Sequence, residues 1–265
     1  MKRRINCMDI VNKKDNILEV LSNYISAVDE AWSKKIIPAS DDKIRKFKEV
    51  SHIIENGYDF PEAYALFLKN MGENDGGLLS DSLCGTANID ELISHYIRYG
   101  DRLYDDFEME PNQLLFFLNE MEAEYYITFQ SDGAHIITTN FDDTYGVDGF
   151  SESFEKMLFQ IAFNKYERQY FEHTIYFGTN KIKLEQTKKQ LEVDDILAVV
   201  DEYAQKKGFT KTWFSDKWHY IGFKENISLY VSLGFAMSGY IIGDDYSEID
   251  KLAKEMCDII GTEVQ

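Results

Sequence analysis

An α+β fold in two units is what the sequence predicts. Three observations carry that prediction: helical spacing of apolar residues over most of the first hundred positions, short aromatic and β-branched runs from Leu103 onward, and a second series of strand-like runs after His173. The expected architecture is N-terminal helices on a small, mostly antiparallel sheet, over residues 1–168. A smaller unit reading strand, helix, three strands, helix then follows over residues 169–265.

The elements follow in chain order. From Asn16 to Lys35, the residues Ile17, Leu21, Tyr24, Ile25, Val28 and Trp32 form one apolar stripe on an amphipathic helix. Ser40 can cap a second helix carrying Ile44, Phe47, Val50, Ile53 and Ile54, with Gly57 as its stop. Pro61 suits the first turn of a third, in which Tyr64, Phe67, Leu68 and Met71 share a face until Gly72. Residues from Gly72 to Asn88 read as loop or short strand, and Ile89 to Tyr99 as a fourth helix. Leu114–Leu118, Tyr125–Phe129 and Ala134–Thr139 are strand-like, the last two joined by a turn at Ser131-Asp132-Gly133. A helix through Phe154, Met157, Leu158, Ile161 and Ala162 closes this part, with Ser151 as its expected cap. The second unit predicts a strand at Thr174–Phe177 and a helix from Val193 to Lys207. Strands at Trp218–Phe223, Ile227–Val231 and Ser238–Ile242 follow, and a last helix from Ile249 to Ile260. The bridge from Asn164 to Glu172 lacks Pro, Gly and Ser, which predicts packed rather than tethered units.

Charge is the strongest functional signal. Between Met71 and Glu155 there are 19 acids against two bases, Arg98 and Arg102, a formal −17; the rest of the chain holds 28 acids and 26 bases. A field that concentrated steers cationic partners and repels nucleic acid. No run reaches the roughly 18 apolar residues of a membrane span. The basic start is broken by Asn6 and Asp9 before a signal-peptide core can form. Cys7, Cys84 and Cys257 are odd in number and far apart, which speaks against a disulfide framework. The chain reads as cytoplasmic.

Catalytic chemistry is not visible in the pattern. His52, His95, His135, His173 and His219 are scattered, with none one helical turn from another metal-ligating residue. The loop Gly72–Gly77 lacks the lysine and hydroxyl of a phosphate loop. From Asp142 to Glu152 the acids faintly resemble a calcium loop, but the sixth position is Val147 instead of glycine, leaving only weak divalent binding open. No catalytic, cofactor-binding or metal residue is expected, and no cofactor.

The segments Ile37-Pro38-Ala39-Ser40-Asp41-Asp42-Lys43-Ile44-Arg45-Lys46-Phe47, Phe60-Pro61-Glu62-Ala63-Tyr64-Ala65-Leu66-Phe67-Leu68 and Asn74-Asp75-Gly76-Gly77, with Gly149-Phe150-Ser151-Glu152-Ser153-Phe154 near the end, resemble the SUKH superfamily over Ile36 to Phe163. That family contains fungal glucan-synthesis regulators and bacterial toxin-immunity proteins. Phe60 stands where the family commonly has leucine, and Asp75 splits its Asn-Gly-Gly turn. The resemblance implies a non-enzymatic binding domain, in bacteria most often an immunity protein that blocks a cognate toxin of nuclease type. An acidic face made of Asp105, Asp106, Glu108, Glu110, Glu120, Glu122, Glu124, Asp142 and Asp143 would meet that basic partner, with Tyr104, Phe107, Tyr125 or Tyr145 as anchors. The alternatives are a regulatory adaptor of the cell-wall-regulator type and a hydrolase using paired carboxylates.

Overall fold

The computed structural model describes residues 17–100, 109–120, 124–139, 150–191, 195–233 and 237–264. Their mixture of helices and antiparallel sheets is the α+β class that the spacing predicts. Packing divides the chain into Asp29–Ile161 and a discontinuous unit made of the chain up to Val28 with Ala162–Gln265. The first described helix, α1 (Ile17–Ser26), buries Leu21, Tyr24 and Ile25 and belongs with the C-terminal unit. The expected boundary near residue 168 placed it with the first. It also stops nine residues short of Lys35, because the Asp29 carboxylate accepts the amide of Ala31 and turns the chain. Trp32, on the same predicted stripe, falls in a short 3-10 turn, where its indole donates to the carbonyl of Asp75.

In the Asp29–Ile161 unit, β1 (Ile36–Ile37) leads to α2 (Asp41–Val50), whose first turn is capped by the Ser40 hydroxyl accepting from the Lys43 amide. This helix ends at Val50, not at Gly57; Ile53 is nevertheless buried in the turns that follow. Next come α3 (Glu62–Met71), β2 (Asn74–Asp75), which pairs with β1, and the short α4 (Ser80–Leu83). Then β3 (Gly85–Thr86) precedes α5 (Ile89–Tyr99), capped by Asn88. Strands β4 (Gln113–Asn119), β5 (Glu124–Phe129) and β6 (His135–Thr139) complete a four-stranded antiparallel sheet in the order β3-β4-β5-β6.

Asp75 organises the turn in which it stands. Its carboxylate accepts the amides of Gly77, Leu79 and Ser80 and the Ser80 hydroxyl, all within 2.9 Å, which satisfies the donors at the start of α4. Gly76 sits at φ +67°, and a Cβ there would come within 2.5 Å of the Trp32 indole nitrogen, so only glycine fits. The last helix of this unit, α6 (Phe154–Tyr166), carries the chain into the other. Its first turn is capped by Ser153, whose hydroxyl accepts the Lys156 amide. The predicted cap, Ser151, instead bridges to Ile137 of β6. Phe154 drives its ring against Tyr64, Phe67 and Phe116 at 5.1, 5.4 and 5.3 Å, so residues 90 positions apart in the motif segments meet in one aromatic core.

The C-terminal unit contains β7 (His173–Thr179), α7 (Lys181–Leu191), α8 (Ile196–Lys206), β8 (Thr210–Lys211), β9 (His219–Lys224), β10 (Ile227–Leu233), β11 (Met237–Gly243), α9 (Tyr246–Ile260) and β12 (Glu263–Val264). The predicted strand, helix, three strands and helix are present, with α7, β8 and β12 added. The sheet order is β12-β7-β11-β10-β9-β8, antiparallel throughout. One sheet face, with Ile175, Phe177, Leu229, Val231 and Ile241, is covered by Leu184, Val200, Ala204, Leu252 and Met256 from α7, α8 and α9. On the other face Phe163, Tyr230 and Tyr240 stack, and Glu167 accepts the Tyr24 hydroxyl at 2.6 Å and the Ser228 hydroxyl at 2.9 Å. Those two bonds fasten α1 to the sheet. Among the described residues no helix is long and apolar enough to cross a membrane.

Candidate protein-interaction surface

The unit boundary sharpens the charge argument. Asp29–Ile161 holds 27 acids and 10 bases, a formal −17, whereas the remaining chain holds 20 acids and 18 bases, a formal −2. The excess therefore belongs to one unit.

Of the acidic face predicted from sequence, Asp105, Asp106, Glu108, Glu122, Asp142 and Asp143 lie outside the described residues, as do Tyr104, Phe107 and Tyr145. Glu110 and Glu120 are exposed, and among the described residues neither has an ion pair. Glu110 stands before β4, where its amide donates to the Gln113 side chain; Glu120 follows β4 and donates its amide to the carbonyl of Cys84. A seven-residue strand separates them, roughly 20 Å of extended chain. They lie at opposite ends of the sheet and do not form one cluster.

Tyr125 shares the Glu120 end of the sheet, since it pairs with Thr139 at the end of β6. Its ring is half-buried, edge-on to Phe117 at 5.7 Å and Phe150 at 5.5 Å, and burial raises its hydroxyl pKa. It supports the surface from beneath more than it projects.

Glu124 is a correction to the predicted face. Its carboxylate is 2% exposed, accepts the Tyr126 hydroxyl and lies 3.6 Å from Nε2 of His95. The physical reason is strand alternation: Glu124 and Tyr126, two residues apart on β5, point to the same side. Burial raises the carboxyl, against the effect of the Tyr126 bond, and lowers the His95 imidazole, so both groups are driven toward their uncharged forms. An imidazole depressed by folding contributes stability above its ordinary value of 6.5 and loses it as the pH falls from there through its lower folded value. The raised carboxyl has the opposite sign, contributing below 4.5 and losing that contribution as the pH rises through its folded value. His95→Gln should therefore flatten the fall in Tm between about pH 7.5 and about pH 5.5. Calorimetry at both pH values checks it, and an unaltered slope would remove His95 from the acid response.

Other acids are spoken for inside the unit. Lys43 bridges Glu73 at 2.7 Å and Asp90 at 2.6 Å, and these bonds raise its ammonium pKa; Lys156 holds Glu152 at 2.7 Å. No family model, curated protein or solved structure matches this chain. Among the described residues no group of three His, Cys, Asp or Glu is placed to hold a metal.

The sequence reading missed two pairings of ionisable groups with their partners. His219 has Nδ1 3.2 Å from the buried Asp216 carboxylate, which also accepts the amides of Trp218 and His219. The Asp-x-x-His spacing was a signal for that turn. Glu167, buried between Tyr24 and Ser228, had none, because its partners are 143 and 61 residues away.

Proposed function

We propose that this chain is a non-enzymatic protein-binding module of the SUKH-like immunity type, which neutralises a basic, nuclease-type toxin through the acidic Asp29–Ile161 unit. The observation that carries the reading is the segregation of charge, −17 in that unit against −2 elsewhere. A nuclease cleft must be cationic to hold phosphates, so a carboxylate-bearing surface can occupy it and gain a steered association. Exposed Glu110 and Glu120 supply charge at both ends of the sheet, which fits a partner spanning its length better than one gripping a single loop. The same field disfavours nucleic acid as a ligand.

A pull-down of the tagged full chain from its native host, at low and at moderate salt, tests the proposal. The expected result is a small basic protein retained at low salt and released as salt rises. Recovery of acidic household proteins alone, or capture indifferent to salt, would overturn it.

A further inference from the structure

Asn56-Gly57 is the only Asn-Gly step in the chain; each of the other asparagines is followed by a residue with a side chain. The pair stands in the turns after α2, where the residues from Ile54 to Gly57 are exposed. Backbone bonds close these turns: the amide of Asn56 donates to the His52 carbonyl at 2.9 Å, that of Gly57 to Ile54 at 3.0 Å and that of Tyr58 to Ile53 at 3.1 Å. Gly57 takes φ +91°, and a Cβ built there meets nothing within 4 Å, so the space beside it is open to water. The Asn56 side chain reaches toward β4, where its Nδ2 donates to the carbonyl of Pro111 at 3.1 Å, next to exposed Glu110.

We propose that Asn56 is a site of self-modification, at which the folded chain converts this asparagine to isoaspartate and aspartate with water as the only co-reactant. The Gly57 amide nitrogen loses its proton and attacks Cγ of Asn56. An N–Cγ bond forms, the Cγ–Nδ2 bond breaks, and ammonia leaves with the proton that the nitrogen gave up. Water then opens the cyclic imide at either carbonyl, with no change of oxidation state. Opening at Cγ gives aspartate, whereas opening at the main-chain carbonyl gives isoaspartate and routes the backbone through the former side chain, one carbon longer. Glycine permits the closure, because a residue without Cβ leaves its nitrogen unhindered and its backbone free to follow the ring. Both reacting groups are held in the native turn, the nitrogen by Ile54 and the amide by Pro111, so the reaction proceeds from the locally opened turn, and exposed turns open at little cost.

The product cannot restore the contact it replaces. A carboxylate has no hydrogen to give the Pro111 carbonyl, so two oxygens face each other where a donor and an acceptor stood. The unit, already at a formal −17, gains one more negative charge beside Glu110. Modification therefore detaches the turns after α2 from the approach to β4.

Incubation of the full chain at mildly acidic and at mildly alkaline pH, followed by mass spectrometry of the tryptic peptide from Glu49 to Lys69, tests this assignment. The expected result is conversion of Asn56 before any other asparagine, faster at the alkaline pH because the attacking nitrogen must be deprotonated. Asn56→Gln, whose longer side chain closes a less accessible ring, should slow modification of that peptide by at least about tenfold. Asn56→Asp, which installs one product directly at an exposed position, should lower the thermal transition of the chain. An Asn56 that stays intact while another asparagine is converted overturns the inference, as does equal modification of the Asn56→Gln chain or an Asn56→Asp chain that melts with the wild type. The outcome is independent of the toxin-binding reading, since no partner takes part in the experiment.

Discussion

Reversing Glu110 and Glu120 together to lysine is expected to weaken binding of the basic partner by about two orders of magnitude, close to 3 kcal/mol, and to leave the thermal transition where it was. Both carboxylates are exposed and have no ion pair among the described residues, so their loss removes attraction without breaking internal structure. The change converts two attractive charges into two repulsive ones, and most of the effect should fall on the association rate at low salt. Glu124→Lys provides the contrast. Its carboxylate is enclosed with His95 and Tyr126, so an ammonium there must be desolvated beside an imidazole and a phenol, which should destabilise the unit by more than about 3 kcal/mol. Titration calorimetry of partner binding, with a melting curve for each variant, separates the two behaviours. Unchanged affinity for the Glu110, Glu120 variant would remove those residues from the interface, and a well-folded Glu124→Lys protein would contradict the burial of that site.

Phe154→Ala is expected to cost the Asp29–Ile161 unit about 4 kcal/mol, near the upper end for loss of a core aromatic. The ring is fully buried and touches three other aromatics from α3 and β4, so truncation leaves a cavity lined by rings that cannot collapse into it without losing their mutual edge contacts. Trp32 is the only tryptophan of this unit, so in a Trp213→Phe, Trp218→Phe background its fluorescence follows urea unfolding of this unit alone. Leu66→Ala, on the exposed side of α3, is the matched control and should shift stability by less than about 0.5 kcal/mol. Equal effects of the two substitutions would refute the aromatic cluster as the centre of the fold.

What was legible in the sequence follows from which forces are local. Helix α5 was readable to the residue, because the Asn88 cap, the apolar stripe through Leu92, Ile93 and Tyr96 and the stop at Gly100 all agree. The central strands were readable because β-branched and aromatic runs break at turn residues such as Gly133, which takes φ +85°. Helix α7 was not: its lysines and glutamines give only a narrow buried line through Leu184 and Thr187, too thin for a period to emerge. The assignment of α1 was beyond sequence reasoning, since its amphipathic stripe reports that it covers something but not what. The interaction face was legible as a charge total and not as a shape. Neither the burial of Glu124 nor the separation of Glu110 from Glu120 is encoded in acid content, although the two-residue step from Glu124 to Tyr126 carried the first of these in principle.

The attachment of α1 to a sheet whose strands come much later has a consequence for synthesis. Tyr24 leaves the ribosome 143 residues before Glu167, the acceptor of its hydroxyl. At about 5–20 residues per second, that is a delay of roughly 7–30 s. Throughout it the nascent chain displays Leu21 and Ile25 with nothing to cover them, while the intervening Asp29–Ile161 segment emerges complete and free to fold. Among the described helices, the first made is thus one of the last to be placed.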